Sequence, residues 1–137
     1  MRVFIDTNVL IDFMAVRQPY YQSSAALFAL AEMKELQLVY SSTTVANSFY
    51  ILRKAYSSKQ LAEAFENQKN VTEISGVSSS NVYSALSAKW NDVEDCIQYQ
   101  SALSAKCDCI LTRNIKDFEL STIPVMTPEE FLDKYFS

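Results

Sequence analysis

Histidine is absent from this 137-residue chain, which removes Ser-His and Cys-His catalysis together with zinc sites that need imidazole. Glycine is nearly absent: Gly76 is the only one. A glycine-rich phosphate loop or a dinucleotide fingerprint needs several, so both are excluded. There is no excess of basic residues. Twelve Lys and Arg against 16 Asp and Glu leave a net charge of −4, without the overall basic footprint of a nucleic-acid-binding surface. Basic residues nevertheless cluster locally, at Arg53-Lys54 and at Arg113 with Lys116. The three cysteines, Cys96, Cys107 and Cys109, are odd in number, and a C-x-C without partners makes neither a disulfide framework nor a zinc site. They read as small buried residues in a reducing compartment. The longest apolar run, Ala25 to Ala31, is far too short to span a bilayer. The start has neither the charged region nor the long apolar stretch of a signal peptide. The expectation is a cytoplasmic chain with no membrane contact.

What is present is an ordinary globular composition, 49% hydrophobic and 20% charged. The length predicts a single domain spanning 1–137, able to bury roughly two-thirds of its unfolded surface. The opening stretch, MRVFIDTNVLIDF, reads as a short buried strand, then Asp6-Thr7-Asn8, then a helix to about Ala15. Pro19 bars its continuation. A second helix is predicted over Tyr20 to Leu36 and a second strand over Gln37 to Ser41. Ser41 to Thr44 supply cap residues for a helix to about Tyr56, and Ser57-Ser58 start another, to about Asn67. A short strand follows at Val71 to Ile74. Gly76 and Ser78 to Ser80 form a turn and a cap for a helix to about Trp90. Asn91 or Asp92 caps the next helix, to Ala105. Strands at Cys109 to Thr112 and Pro124 to Met126 precede a closing helix, whose start has Thr127 as cap, Pro128 at the first position and Glu129-Glu130 in the first turn. Strands alternating with helices predict an α/β three-layer sandwich around a central parallel sheet of about four to five strands. No internal repeat, linker or low-complexity tract interrupts it.

Acids gather at the ends of these elements. Asp6 closes the first strand. Thr112-Arg113-Asn114, with Asp117 three residues on, follows the strand at Cys109. Both lie on the carboxyl side of one parallel sheet, where α/β proteins place their ligands. Asp92-Val93-Glu94-Asp95 opens a helix. At 100° per residue, Asp95 shares a face with Tyr99 and Ala102, whereas Glu94 falls with Gln98 and Ser101. That makes Asp95 the inward acid and Glu94 the solvated one, and Asp92 either a site acid or only a favourable charge at the helix N-terminus. Several carboxylates in one cleft neutralise unless a cation lies among them. Oxygen ligands without His or Cys point to Mg²⁺ or Mn²⁺ and to metal-assisted hydrolysis of a phosphodiester.

Three segments in this order, I-D-T-N-V-L-I-D-F, D-V-E-D-C-I-Q-Y-Q-S-A and I-L-T-R-N-I-K-D-F, resemble the PIN-domain ribonucleases, and most of all the VapC-type toxins of bacterial toxin–antitoxin pairs. The likeness extends to the P-V-M-T-P-E-E-F-L ending. It implies an α/β/α sandwich, a homodimer, Mg²⁺ or Mn²⁺ as cofactor, RNA as substrate and an antitoxin protein as partner. Carried over by position, Asp6 matches the first acid and Asp95 the acid of the later helix. The last acid matches Asn114 or Asp117, with Asp117 the charged ligand and Asn114 a neutral oxygen donor. The family's Glu in the helix after its second strand is replaced here by Asn47, within T-T-V-A-N-S-F-Y-I-L-R-K. An amide there removes one negative charge; it either serves the site, by coordinating or by holding a metal-bound water, or is satisfied by its neighbours.

The expected catalytic set is therefore Asp6, Asp95, Asp117 and Asn47, with Asp6, Asp95, Asp117 and Asn114 on the metal. Thr112, Arg113 and Lys116 are candidates for substrate contact. Arg53, Lys54, Arg113 and Lys116 either meet RNA phosphates or are ordinary surface charges. Thr7 and Asn8 read first as caps, and Asp12 as part of a solvated face. Tyr20 and Tyr21 pack in the core or a dimer, or stack on bases. The Asp6, Asp95 and Asp117 oxygens are expected to converge on one ion. The rival expectation is a catalytically weak or inactive RNA- or protein-binding module on the same fold, motivated by Asn47. A haloacid-dehalogenase-like phosphatase wants an acid two after the first, where Asn8 stands. A response-regulator receiver wants a phosphoacceptor Asp on a middle strand, and Gln37 to Ser41 offers none.

Overall fold

The computed structural model describes residues 1–137. Arg2–Ile5 (β1) is the middle of a five-stranded sheet. Val3, Phe4 and Ile5 are fully buried because both faces of the strand are covered. That is why its sequence is a continuous apolar run rather than an alternation. Thr7–Met14 (α1) and Tyr21–Glu32 (α2) lead to Gln37–Ser41 (β2). Ser42–Leu52 (α3) and Ser58–Gln68 (α4) lead to Thr72–Ser75 (β3). Ser79–Ser87 (α5) and Val93–Ser104 (α6) lead back across the sheet to Cys109–Leu111 (β4). A 3₁₀ turn, Ile115–Phe118, precedes the short Val125–Met126 (β5), and Pro128–Phe136 (α7) ends the chain.

The strand order is β3-β2-β1-β4-β5, with every pair parallel. Val3 lies between Leu38 and Cys109, and Ile5 opposite Leu111. The pleat sends Val3 and Ile5 to one face, where Leu10, Leu27, Phe28 and Phe131 from α1, α2 and α7 pack on them. It sends Phe4 to the other, with Val39 and Ile110, against Cys96, Tyr99 and Ala102 of α6 and Ala85 of α5. A third, small cluster of Ile11, Leu52 and Leu61 joins α1, α3 and α4. This is the three-layer α/β/α sandwich that the alternation of elements predicts. The chain works outward from β1 to β3, then jumps to the opposite side for β4 and β5. The direction of winding therefore reverses between β1 and β4, and a crevice opens at their carboxyl ends.

Local cap chemistry falls where the sequence places it. Ser41, Ser57, Ser78, Asp92 and Thr127 each accept a backbone N–H with their side chains at the start of α3 to α7. Three helices stop earlier than expected. The α2 helix ends at Glu32, because Lys34 adopts a left-handed φ of 61° and the Glu35 amide folds back to Leu30. The α3 helix ends at Leu52, leaving room for Ser57 to cap α4. The α5 helix ends at Ser87, where Ala88 turns extended and sends Trp90 onto Tyr99 and Phe118. Pro19 does not end α1, which already stops at Met14. The three cysteines are buried and free, and burial pushes the thiols of Cys107 and Cys109 up to about 11 and about 12. No helix is long and apolar enough to cross a membrane.

With one glycine in the chain, the left-handed positions fall on Val16, Lys34 and Lys106. Val16 is β-branched, has φ of 51° and is half exposed, so little packing offsets its strain. Val16→Gly is expected to raise the unfolding free energy by about 1 kcal/mol. A shift of the urea midpoint at constant m-value measures it.

Candidate active site

Asp6 leaves β1 and immediately caps α1, its Oδ1 accepting from the Thr7 amide at 2.8 Å. Its Oδ2 accepts from Thr112 Oγ1 at 2.9 Å and from Asn8 Nδ2 at 3.2 Å. The carboxylate is only 7% exposed, so burial drives its pKa up. The Thr112 and Thr7 hydrogen bonds oppose that rise, and the charges of Glu94 and Asp117 add to it. Thr7 and Asn8 are thus not the caps. Asn8 braces Asp6, and Thr7 Oγ1 lies 3.0 Å from Thr44 Oγ1 and accepts from Gln98 Nε2 at 3.1 Å.

A cleft of about 490 Å³ opens above Asp6, at the β1–β4 crevice. Its lining includes Asp95 and Glu94 from α6, Asn47, Tyr50 and Ile51 from α3, Asn114 and Asp117 after β4, and Arg17 from the loop after α1. All five polar residues expected at the heart of the site (Asp6, Asn47, Asp95, Asn114 and Asp117) line this one cleft. No Lys or Arg makes a salt bridge to any acid there; the chain's three salt bridges lie elsewhere. Asp95 is half-buried, and its pKa is pushed up to about 7, first by burial and then by Asp92, Asp6, Asp117 and Glu94. The acids share a cleft without converging on a point: no three carboxylate or cysteine side chains stand close enough together to hold one ion.

Several expected contacts fall elsewhere. Thr112 is fully buried and braces Asp6, accepting also from the Asn114 amide at 3.1 Å, so it has no surface to offer a substrate. Arg113 turns from the cleft to Asp12, with Nε–Oδ2 at 2.8 Å, and its guanidinium lies 4.2 Å above the Tyr20 ring. Asp12 is accordingly not solvated but 1% exposed: the apolar α1 face carries it inward, and burial raises its pKa against the pull of Arg113. Lys116 borders a neighbouring hollow with Trp90, Asp92 and Asp117. Arg53 covers Tyr50 at 3.9 Å. Tyr21 stacks on Phe13.

The sequence pattern missed Glu94, Gln98, Arg17, Tyr50 and Ile51. Glu94 is exposed, as expected, yet also lines the cleft and accepts from Asn47 Nδ2 at 3.0 Å. Gln98 is 2% exposed; its Oε1 accepts from Ser41, and its Nε2 donates to Thr44 Oγ1 at 2.8 Å. That α6 face is buried against other polar groups, which a hydropathy pattern reads as solvent-facing. The signal for Glu94 was its place beside Asp95 in the first helical turn; Arg17 and Tyr50 gave none.

A family model described as PIN domain matches residues 2–116. Ribonuclease VapC1 of Aquifex aeolicus is 29% identical over 139 residues, covering 98% of this chain and 95% of that protein. Two solved structures share the fold. One is VapBC2 from Rickettsia felis bound to a DNA fragment from its promoter, with a TM-score of 0.66, 18% identity and coverage of 92% of this chain and 97% of that one. The other is a toxin–antitoxin complex from Klebsiella pneumoniae, with a TM-score of 0.65, 22% identity and the same coverages.

Removing the partner of a buried charge costs more than the pair itself contributes. Arg113→Met is expected to lower stability by about 3 kcal/mol, and adding Asp12→Asn to recover part of it, both read by urea unfolding. The raised pKa of Asp95 means that the folded, metal-free protein holds a proton which the unfolded chain releases. Stability from this group is therefore present at low pH and lost as pH rises from 3.8 to about 7. Asp95→Asn is expected to remove that loss, so that melting temperatures at the two ends of the window differ less than in the wild type.

Proposed function

The chain belongs to the PIN-domain family, and from that premise we propose that it is a metal-dependent endoribonuclease, a VapC-type toxin held in check by an antitoxin protein. One observation carries the reading. Acids from three distant stretches, Asp6 after β1, Asp95 in α6 and Asp117 after β4, line one cleft with no cationic side chain paired to them. Such a cleft calls for a cation.

The donors present fit Mg²⁺ or Mn²⁺. They are carboxylates and amide oxygens only, and Mg²⁺ takes one or two protein carboxylates and keeps several waters. A site without three converging carboxylates suits that preference. One or two of Asp6, Asp95 and Asp117 would hold the ion directly and the rest would act through its waters, with Asn114 as a neutral oxygen donor. When bound, the ion would activate a water and offset charge on the phosphate under attack.

The chain's own residues do the rest. Thr112, Asn8 and the Thr7 amide fix both oxygens of Asp6, so its position is set before any ligand arrives. Gln98 ties α6 to α1 and α3 through Thr7 and Thr44, holding Asp95 over Asp6. The Asp95 and Asp117 side chains accept no hydrogen bond from the protein and keep their oxygens for a ligand. Arg17 lines the cleft and Lys116 stands beside Asp117 in the neighbouring hollow, and in this reading both would meet RNA phosphates. Tyr50 and Ile51, exposed on the α3 wall, offer bases a surface to lie on. The likeness to Ribonuclease VapC1 and to structures of toxin–antitoxin assemblies supports the substrate and the antitoxin. A homodimer and a cytoplasmic setting belong to the same reading.

Asn47 favours a second reading, an inactive RNA- or protein-binding module, because it places an amide where the resemblance implies an acid. Cleavage of RNA by the pure protein decides between them. Asp6→Asn and Asp95→Asn are each expected to slow Mg²⁺- or Mn²⁺-dependent cleavage by about 100-fold or more, roughly 3 kcal/mol of transition-state stabilisation. Equal rates in the wild type and both variants would sink the nuclease assignment.

A further inference from the structure

Arg113 stands between residues with tasks at the cleft. Thr112 on one side braces Asp6; Asn114 on the other lines the cleft, with Asp117 three residues on. The Arg113 side chain itself leaves the cleft for α1. It meets Asp12 at two points, Nε donating to Oδ2 at 2.8 Å and Nη2 to Oδ1 at 3.3 Å, and its guanidinium lies 4.2 Å above the Tyr20 ring. The Asp12 side chain is 1% exposed and that of Arg113 27%.

Stability is the ordinary explanation of a buried ion pair, and it is a poor one. Taking both charges from water costs about as much as their attraction returns, and an apolar pair of similar volume often holds two elements together as well or better. An apolar pair does not supply direction. A two-point contact between planar groups fixes the plane of the guanidinium and its station along α1. The segment that carries Arg113 has little else to fix it. No other side chain from Arg113 to Asp117 makes a hydrogen bond. Asn114 to Asp117 are exposed, and the next buried anchor is Phe118. The backbone passes the constraint along: the Arg113 amide donates to Asn8 Oδ1 at 3.4 Å, and the Asp117 amide to the Asn114 carbonyl at 3.0 Å. The same pair also reaches the loop after α1. The Arg17 amide donates to the Asp12 carbonyl and the Tyr20 amide to the Arg17 carbonyl, each at 3.0 Å, and Arg17 lines the cleft.

We propose that Arg113 and Asp12 are positioning residues for the cleft: their pair, covered by Tyr20, sets where Asn114, Asp117 and Arg17 stand relative to Asp6. The inference rests on the nuclease reading above and deepens it. Arg113 then serves the reaction without touching RNA, and Asp12, buried and outside the cleft, serves it through Arg113.

Replacing the pair by apolar residues separates orientation from stability. Arg113→Met with Asp12→Leu is expected to keep the melting temperature at or above that of the wild type. Its kcat for Mn²⁺-dependent cleavage of a fluorescent single-stranded RNA oligomer of mixed sequence is expected to fall by about ten- to 100-fold, with KM within about threefold. Without RNA or metal, hydrogen exchange at the amides of 113–118 is expected to quicken by about tenfold or more, while β2 and β3 keep their rates. Arg113→Lys keeps the charge, loses the two-point contact and is expected to move kcat and exchange in the same directions; it decides the matter if the apolar pair does not fold. Wild-type kcat in a folded variant, alongside loss in Asp6→Asn, overturns the positioning role and leaves the nuclease reading intact. A raised KM at unchanged kcat, or unchanged exchange at 113–118, overturns it as well. Cleavage that is absent, or indifferent to Asp6→Asn, removes the nuclease reading and this inference with it.

Discussion

A carboxylate kept out of water at the end of the central strand sets the terms for the rest of the molecule. Burying Asp6 is costly unless its oxygens are hydrogen-bonded. Each available donor ties down a different piece of the fold. The Thr7 amide starts α1, Asn8 holds the first turn of that helix in place, and Thr112 fixes the end of β4 against the end of β1. The reversal of winding between β1 and β4 is what leaves room for a cleft above it. Every later acid in the cleft is placed relative to this one, and the pKa of Asp95 responds to it.

The second support is neutral. Gln98, Thr44, Thr7 and Ser41 form a buried hydrogen-bonded cluster where α1, α3 and α6 meet behind the cleft. Uncharged groups suit that position. They satisfy one another without adding to the negative charge in front of them, and a fully connected network of this kind holds its members in one arrangement. The cost of the whole design is an uncompensated cleft. Burial and mutual repulsion raise both Asp6 and Asp95, and no basic side chain pairs with either.

Much of this was legible in the sequence wherever the signal was local. The apolar run before Asp6, the cap residues of five helices and the Thr127–Glu130 capping box all follow from a few adjacent residues. The order of the motifs points to five residues, Asp6, Asn47, Asp95, Asn114 and Asp117, that line one cleft. The face of α6 was half misjudged, because its buried side carries Gln98 and Ser101 rather than apolar groups. Asp12 was misjudged for the same reason in reverse: its partner, Arg113, is a hundred residues away and gives no sign at position 12. Thr112 was placed at the right strand end but with the wrong task, since nothing in a Thr-Arg-Asn run says which hydroxyl will be swallowed by the fold.

The sequence by itself determined the alternation of strands and helices, the lack of imidazole and glycine-loop chemistry, and the supply of oxygen donors at two strand ends. These depend on residue type and spacing along the chain, which backbone periodicity and cap chemistry translate directly into local structure. Only the tertiary structure decided which acids share a cleft, that Arg113 serves Asp12 instead of a substrate, and that Asn47 meets Glu94 across 47 residues. Those pairings depend on how α3 and α6 pack about the sheet, and packing is settled by the sum of all buried contacts rather than by any one stretch of sequence.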